Sequence, residues 1–329
     1  MKICEVGRYK EQFVPDHILP FVKEQGEALR QAGHEVSYFA IQGTGMWSYL
    51  KQVKALRTVL QQEHPDIVHA HFGLSGMTAV MAVKGMPRAI RPKCVITFHN
   101  GETLNRWVNL VTSFYSLYAD YVVYVAQHIR HLCYFKARHY SILPCGVELD
   151  DLVVTPYEQA RAQLSMSPDK KYILFGGAFA NTRKNVALLR EALALLHRDD
   201  IEVLEMRGLS RQECALRMCA CDLFALPTHS EGSPQALKEA MACNCPIVAT
   251  DVADIAYLLG GLKGHYLLRN PLHTTVRWEQ DADSARELAQ LIDEALAHTE
   301  RTQGRERILE LQLDNASIAR RLTQIYQSL

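Results

Sequence analysis

Short apolar runs of strand length alternate with stretches of helical period along most of the chain. The first run, KICEV, leads into a helical pattern over Leu19 to Ala32. That pattern stops at Gly33, where a left-handed C-cap falls, and EVSYFAI follows. DIVHAHF, CVITFHN, YVVYVA and YSILPCG continue the series as β-branched runs separated by helical or loop segments. This pattern predicts a parallel sheet with helices on both faces. After PCGVELDDLVVTPYEQARAQLSMSPDKK the pattern restarts, and YILFGGAF, IEVLEM, DLFALP, PIVATD and HYLLRN read as strands. Helices are predicted near Asn185 to His197, Arg211 to Cys219, Pro234 to Cys243 and Ser284 to His298. The chain therefore reads as an α/β protein of two doubly wound, Rossmann-like halves, 1–152 and 153–310, with a last helix at 311–329 that returns to the first half. No repeat or low-complexity tract competes with this division.

A length of 329 residues suits two domains with sizeable cores. Lys plus Arg and Asp plus Glu number 36 each, so no global basic field argues for nucleic acid or an acidic membrane, and partners have to be read from local sites. MKICEVGRYK runs straight into a strand without the apolar core of a signal peptide, and no stretch approaches the roughly 20 apolar residues of a membrane span. The nine scattered cysteines read as the reduced thiols of a cytoplasmic protein. The pairs Cys219/Cys221 and Cys243/Cys245 lack a usual zinc spacing, so no metal is assigned to them.

The segment DLFALPTHSEGSPQALKEAMACNCPIVATD carries the densest candidate chemistry. Its strand ends at Pro227, and Ser233-Pro234 makes a helix entry with Ser as N-cap and Pro at the first helical position. The free N–H groups near Gln235 and Ala236 would face the carboxyl edge of the sheet, where a helix N-terminus favours an anion. Gly232 lets a ligand approach the backbone. Ala236, Leu237, Ala240 and Met241 share a face that buries against the sheet, leaving Lys238 and Glu239 to point elsewhere. Glu239 sits roughly 7–8 Å along the axis from the entry, a reach that suits a ribose diol beside phosphates at the N-terminus. The plainer alternative is that Glu231 and Glu239 only complement the helix dipole and solvate a surface.

Glu231 and Glu239 in EGSPQALKEAMA form an E-x7-E spacing, followed by PIVATDV. HPDIVHAHF, VITFHNGE, ADYVVYVAQHI, SILPCGVELDDL, ILFGGAFANTRKNVALLREAL and NASIARRLTQIY occupy further positions in order. In this order and spacing the chain resembles the retaining GT-B glycosyltransferases of glycosyltransferase family 4 over nearly its whole length. The resemblance implies two Rossmann-like domains facing across a cleft and a UDP- or GDP-sugar donor, with no cofactor and no metal. By it, Glu231 approaches the hydroxyls of the transferred sugar and Glu239 holds the nucleotide ribose. Gly232, Ser233, Pro234 and Gln235 bring the backbone to the sugar and diphosphate, and Gly177 stands at the glycine position after the first strand of the second domain. Arg183 and Lys184 in NTRKN match the family's basic position, where two cations can stabilise a leaving nucleoside diphosphate without a metal. Positive charge is unfavourable at a helix start, which favours a ligand there over a merely solvated turn. His99, at the end of VITFH, matches a histidine that contacts the transferred sugar; the alternative is a packed structural residue. His69 and His71 point to one face of a strand and read equally as packing. The implied acceptor is a glycan or lipid-linked hydroxyl in bacterial surface polysaccharide assembly, at the inner face of the plasma membrane with weak peripheral association.

The chain departs from the family at several points. RYKEQFVPDHILP replaces the usual glycine loop over the diphosphate. Gly177-Ala178 stands for Gly-Arg, with Arg183 as the substitute. Only RGLSRQECALRMCAC separates IEVLEM from DLFALP, and Asn244 takes the place of a helix-ending glycine. DAD at 281–283 reads as the acidic first turn of a helix rather than a metal motif. Two other readings of the same architecture are a nucleotide-sugar epimerase and a non-catalytic nucleotide-sugar-binding protein. A dinucleotide oxidoreductase is disfavoured, because EVGRYKEQF lacks G-x-G-x-x-G.

Overall fold

The structure is a computed structural model that describes residues 1–8, 19–43, 45–269, 282–298 and 300–329. It divides into two units, Met1–Gly146 with Asn315–Leu329, and Val147–Asp314. The sequence reading puts these boundaries at 152 and 310. The segment just after Gly146 belongs to the second unit because Val147 bridges to Asp314 and donates its N–H to Leu313 O, while the Arg305 guanidinium donates to Leu149 O and Leu152 O.

In the first unit six strands, β1 Lys2–Gly7, β2 Glu35–Ala40, β3 Ile67–His71, β4 Lys93–Phe98, β5 Tyr121–Tyr124 and β6 Tyr140–Ile142, pair in the order β2-β1-β3-β4-β5-β6. All pairs are parallel. Gly33, past the end of helix Pro20–Gln31, takes φ +86°, the left-handed turn expected there. The C-terminal helix Asn315–Gln327 packs on Pro20–Gln31 and buries Ile318, Ala319, Leu322 and Tyr326.

The second unit repeats the architecture with β7 Lys171–Phe175, β8 Ile201–Glu205, β9 Leu223–Leu226, β10 Ile247–Thr250 and β11 His265–Leu268, in the order β11-β10-β9-β7-β8. A single helix, Arg211–Ala220, joins β8 to β9, so the short connection read from the sequence is one crossover. Asn244 takes φ +55° where the helix Gln235–Ala242 ends, as a residue standing for glycine must.

Parallel pairing forces each strand to end at the same edge of its sheet. In both sheets the first strand lies between its second and third, so successive crossovers leave on opposite sides at β1/β3 and at β7/β9. At such switch points the loops diverge and open a crevice at the carboxyl ends of the strands. His71, His99, Gly177 and the loop after β9 all lie at these ends.

The C-terminal helix closes the core of the first unit. Leu322→Ala removes a fully buried side chain and should lower the unit's stability by about 2–4 kcal/mol. Denaturant unfolding checks this, and a loss below about 0.5 kcal/mol would mean that the helix is dispensable to that core.

Candidate active site

On the second unit, β7 runs out through Phe175 into Gly176 and Gly177, and β9 runs out through Leu226 into Pro227. The predicted helix from Asn185 begins one residue later. Arg183 and Lys184 close a separate 3₁₀ turn, Thr182–Lys184, which the left-handed Asn185 (φ +58°) sets apart from helix Val186–Leu196. This break lets Lys184 turn toward the β9 loop, where its Nζ lies 2.7 Å from Glu231 Oε1. Both side chains are largely buried. The lysine stem passes over Gly177, where a Cβ would stand 3.0 Å from Lys184 Cγ. Glycine at 177 therefore makes room for the lysine as well as for a ligand.

Backbone bonds sew the turn to the loop. His229 N and Thr228 Oγ1 donate to Arg183 O at 2.9 and 3.1 Å, and Thr250 Oγ1 donates to Thr228 O at 2.6 Å. Arg183 itself is exposed on that turn.

The helix entry corrects one expectation. Pro234, not Ser233, is the N-cap of Gln235–Ala242: it is extended, and its carbonyl accepts from Lys238 N at 3.3 Å. Ser233 stands one residue further out, so its hydroxyl caps nothing and is buried without a hydrogen bond among the described residues. Gly232 and Pro234 are buried beside it, and Gln235 is half-buried.

Lys238, left by the sequence pattern to point elsewhere than the sheet-packed face, is fully buried. Glu239 and Asp254 lie close enough for the Lys238 charge to favour their ionised forms, which compensates an otherwise costly buried cation. Glu239 pairs with Arg211, Oε1 to Nη2 at 3.2 Å, and its carboxyl is raised by burial against the pull of Arg211 and Lys238. The Asp254 carboxylate oxygens are buried without a hydrogen bond among the described residues, and burial pushes the group up to about 6. The nearby Ser233 hydroxyl tempers that shift while staying outside hydrogen-bond geometry.

On the first unit, His99 follows β4 and is half-buried. Its Nε2 lies 3.2 Å from His71 Nδ1, and His71 Nε2 lies 2.8 Å from Glu5 Oε2. The sequence puts His69 and His71 on one face, and their rings stack at 4.7 Å. His69 is held by Tyr326 Oη at Nδ1 and Thr97 Oγ1 at Nε2, both at 2.6 Å. The buried Glu102 carboxylate accepts from Gly73 N, Asn100 N and His99 N at 2.9, 3.0 and 3.3 Å, which fixes the loop that carries His99. Burial raises the Glu102 carboxyl, and these backbone donors oppose the rise.

Among the described residues one group, Glu5, His69 and His71, has the composition of a metal site, with ligand atoms all within 4.8 Å. Its ring nitrogens already meet Tyr326, Thr97, Glu5 and His99, so the cluster is complete as a hydrogen-bond network. Asp283 of the DAD motif lies in the first turn of helix Ala282–Ala297, while Asp281 lies outside the described residues. So does most of the glycine-free N-terminal segment, 9–18.

Several of these participants had little or no local signal. Arg211 comes from a different helix than Glu239, and Tyr326 from the far end of the chain. Glu5 did have one, as an acid inside the apolar run KICEV.

The family model "Glycosyltransferase Family 4" matches residues 21–151, and "Glycosyl transferases group 1" matches 198–294. A protein named as a teichuronic acid biosynthesis glycosyltransferase, TuaC of Bacillus subtilis (strain 168), is 25% identical over 263 residues, 71% of this chain. The match spans 66% of that protein, a little under two thirds. Among solved structures, sucrose-phosphate synthase from Thermosynechococcus elongatus superposes with a TM-score of 0.80 at 19% identity, over 99% of this chain and 98% of that one. HepE from Anabaena, in complex with UDP and glucose, gives 0.73 at 17% identity over 100% of both chains. These likenesses show a GT-B fold.

The polar cluster of the first unit has a definite acid window. Burial pushes the His69 imidazole down from its ordinary 6.5 to about 4, so the folded state binds the proton less readily than the unfolded one. The resulting stabilisation is complete above pH about 6.5, is lost as pH falls toward 4, and is worth on the order of 3 kcal/mol at most. His69→Gln should flatten the fall in unfolding free energy across that window, as measured by urea unfolding at several pH values. An unchanged slope would assign the acid lability to other groups.

Proposed function

Because this chain belongs with the GT-B glycosyltransferases of the family 4 and group 1 type, we propose that it is a retaining enzyme using a nucleotide-sugar donor. The donor is a UDP- or GDP-sugar, and the acceptor is the hydroxyl of a glycan or lipid-linked intermediate in bacterial surface polysaccharide assembly on the cytoplasmic side. The name of the TuaC relative supports the pathway, and the UDP and UDP-glucose in the HepE structures support the donor class.

The observation that carries the reading is the Lys184–Glu231 pair at the β7/β9 switch point. A diphosphate arriving there offers Lys184 a stronger anion than one carboxylate. Lys184 then passes to the phosphate oxygens and Glu231 is released to accept from hydroxyls of the transferred sugar. Gly232, Ser233 and Gln235 bring backbone N–H groups to the same anion, and Arg183 adds an exposed cation. Glu239, eight residues after Glu231, takes the ribose diol by exchanging its bond to Arg211. His99 contacts the transferred sugar.

As the sugar–oxygen bond breaks, negative charge grows on the leaving diphosphate, and fixed cations bind that charge more strongly than they bind the ground state. The same phosphate takes the acceptor proton on the face it leaves, so the new bond forms with retention.

Turnover should persist in EDTA, since Lys184, Arg183 and the helix entry supply the charge that a metal would otherwise bring. Complete loss restored by Mg²⁺ or Mn²⁺ would overturn that part of the reading.

Variants separate the roles. Lys184→Ala should lower kcat at saturating donor by on the order of 100-fold while the protein stays folded. Glu239→Gln should weaken free nucleotide and donor alike, whereas Glu231→Gln should spare free nucleotide and lower turnover. Calorimetry with free nucleotide and steady-state kinetics check both. Wild-type kcat in a folded Lys184→Ala variant would remove the diphosphate from this loop.

A further inference from the structure

Helix Arg106–Ser116 of the first unit is amphipathic in the inverted sense. Val111 and Tyr115, at the margin of the apolar face, lean half-buried on the core, and its fully buried side chains are Asn109, Thr112, Ser113 and Ser116. Their polar atoms are satisfied within the unit: Asn109 Nδ2 donates to Leu132 O at 2.8 Å, Ser113 Oγ to Asn109 O at 2.5 Å and Ser116 Oγ to Ser113 O at 2.7 Å. The face left to solvent carries Trp107 at 74% exposure, Leu110 at 38%, Phe114 at 42% and Leu117 at 44%. The spacing of these four residues places them on one stripe of the helix. The stripe continues onto the neighbouring loop, where Phe135 meets Phe114 edge to face at 5.8 Å and Tyr134 is also exposed. A contiguous apolar surface of this kind is rarely left to water.

Charge identifies what covers it. From Thr103 to Tyr140 the chain carries four cations, Arg106, Arg130, Lys136 and Arg138, against one acid, Asp120. The Asp120 carboxylate is turned to Cys94 N at 2.8 Å. Arg106, next to Trp107 in the chain, and Lys136 and Arg138, just after Phe135, are all exposed. In a chain whose charges balance overall, this is a local excess at a surface whose side chains are large and apolar. Trp, Tyr, Phe and Leu rimmed by Lys and Arg match the boundary of an anionic bilayer, where the rings enter the acyl margin and the cations meet lipid phosphates. Among the described residues no helix is long and apolar enough to cross a membrane, so the contact is one of surface attachment.

We propose that this face, centred on Trp107 and Phe114 with Lys136 and Arg138 at its rim, docks the protein on an anionic phospholipid surface. The contact is independent of the catalytic reading, and it would hold a lipid-linked substrate and the enzyme on one plane.

Flotation of the full chain with vesicles tests it without any assay of transfer. Wild type should float with phosphatidylglycerol–phosphatidylcholine vesicles and far less with phosphatidylcholine alone, and it should be released by raising the salt. Trp107→Ser with Phe114→Ser should cut the bound fraction about tenfold or more, and Lys136→Glu with Arg138→Glu should do so on anionic vesicles. All four side chains are exposed, so thermal melting should match wild type. The proposal fails if wild type stays in the soluble fraction with both vesicles, or if folded variants float as wild type does. It also fails if light scattering shows a dimer that Trp107→Ser abolishes, since a second copy would then be the occupant.

Discussion

The structure depends on one constraint, that parallel strands joined by crossovers all finish at the same edge. Among the described residues eleven strands in two sheets obey it, so residues far apart in the chain arrive at two edges without any local signal bringing them together. Gly177 and Glu231 are separated by two crossovers, yet the lysine stem that lies on the first reaches the second. The switch points at β1/β3 and β7/β9 are where the crossovers part, and that is where backbone N–H groups and polar side chains can stand together without filling the space with helix.

Ion pairs then hold particular loops and helices to the two sheets. Glu231 is matched by Lys184, Glu239 by Arg211, Asp222 by Arg161 and Lys171, and Glu5 by the imidazole of His71. The pairs are not equivalent. Arg161 and Asp222 also bond Tyr157 and backbone groups, and they brace helix Tyr157–Gln163 against the sheet. Lys184 and Glu231 sit instead on two loops at the sheet edge. Loss of the first kind of pair would strand several backbone donors and acceptors, while the second joins two loops through one charge pair.

The strand and helix pattern was legible because parallel-sheet strands are apolar runs and their helices carry clear stops. Gly33 and Asn244 both adopt the left-handed conformations that their positions implied. The details that escaped are those in which tertiary contact outweighs local preference. Asn185, where the sequence reading starts the helix, instead turns left-handed and sets the 3₁₀ turn ending in Lys184 apart from it. Ser233-Pro234 has the form of a cap and first turn, but Pro234 remains extended and takes the cap position itself. Lys238 lies off the face that packs on the sheet, yet it is fully buried within electrostatic reach of Glu239 and Asp254. The placement of Glu231 and Glu239 on one loop and helix was readable from their spacing, whereas their cations, Lys184 and Arg211, come from other elements and could be known only from the fold.

Helix Arg106–Ser116 shows why periodicity alone cannot say which face is inside. Its apolar and polar residues separate cleanly around the axis, and separation of that kind ordinarily places the apolar stripe against the core. Here the inner face is small and hydroxyl-bearing because it packs closely on helix Gly73–Lys84: a Cβ at Gly73 would fall within 2.8 Å of Thr112 Cγ2. Close helix contact selects small side chains, and Ser and Thr can return their hydroxyls to the backbone of the preceding turn, so a buried polar face costs little. Val111 and Tyr115 lean half-buried on the core, while Trp107, Leu110 and Phe114 are held at the surface. Tight packing on one side of this helix and an apolar surface on the other are thus two results of one spacing.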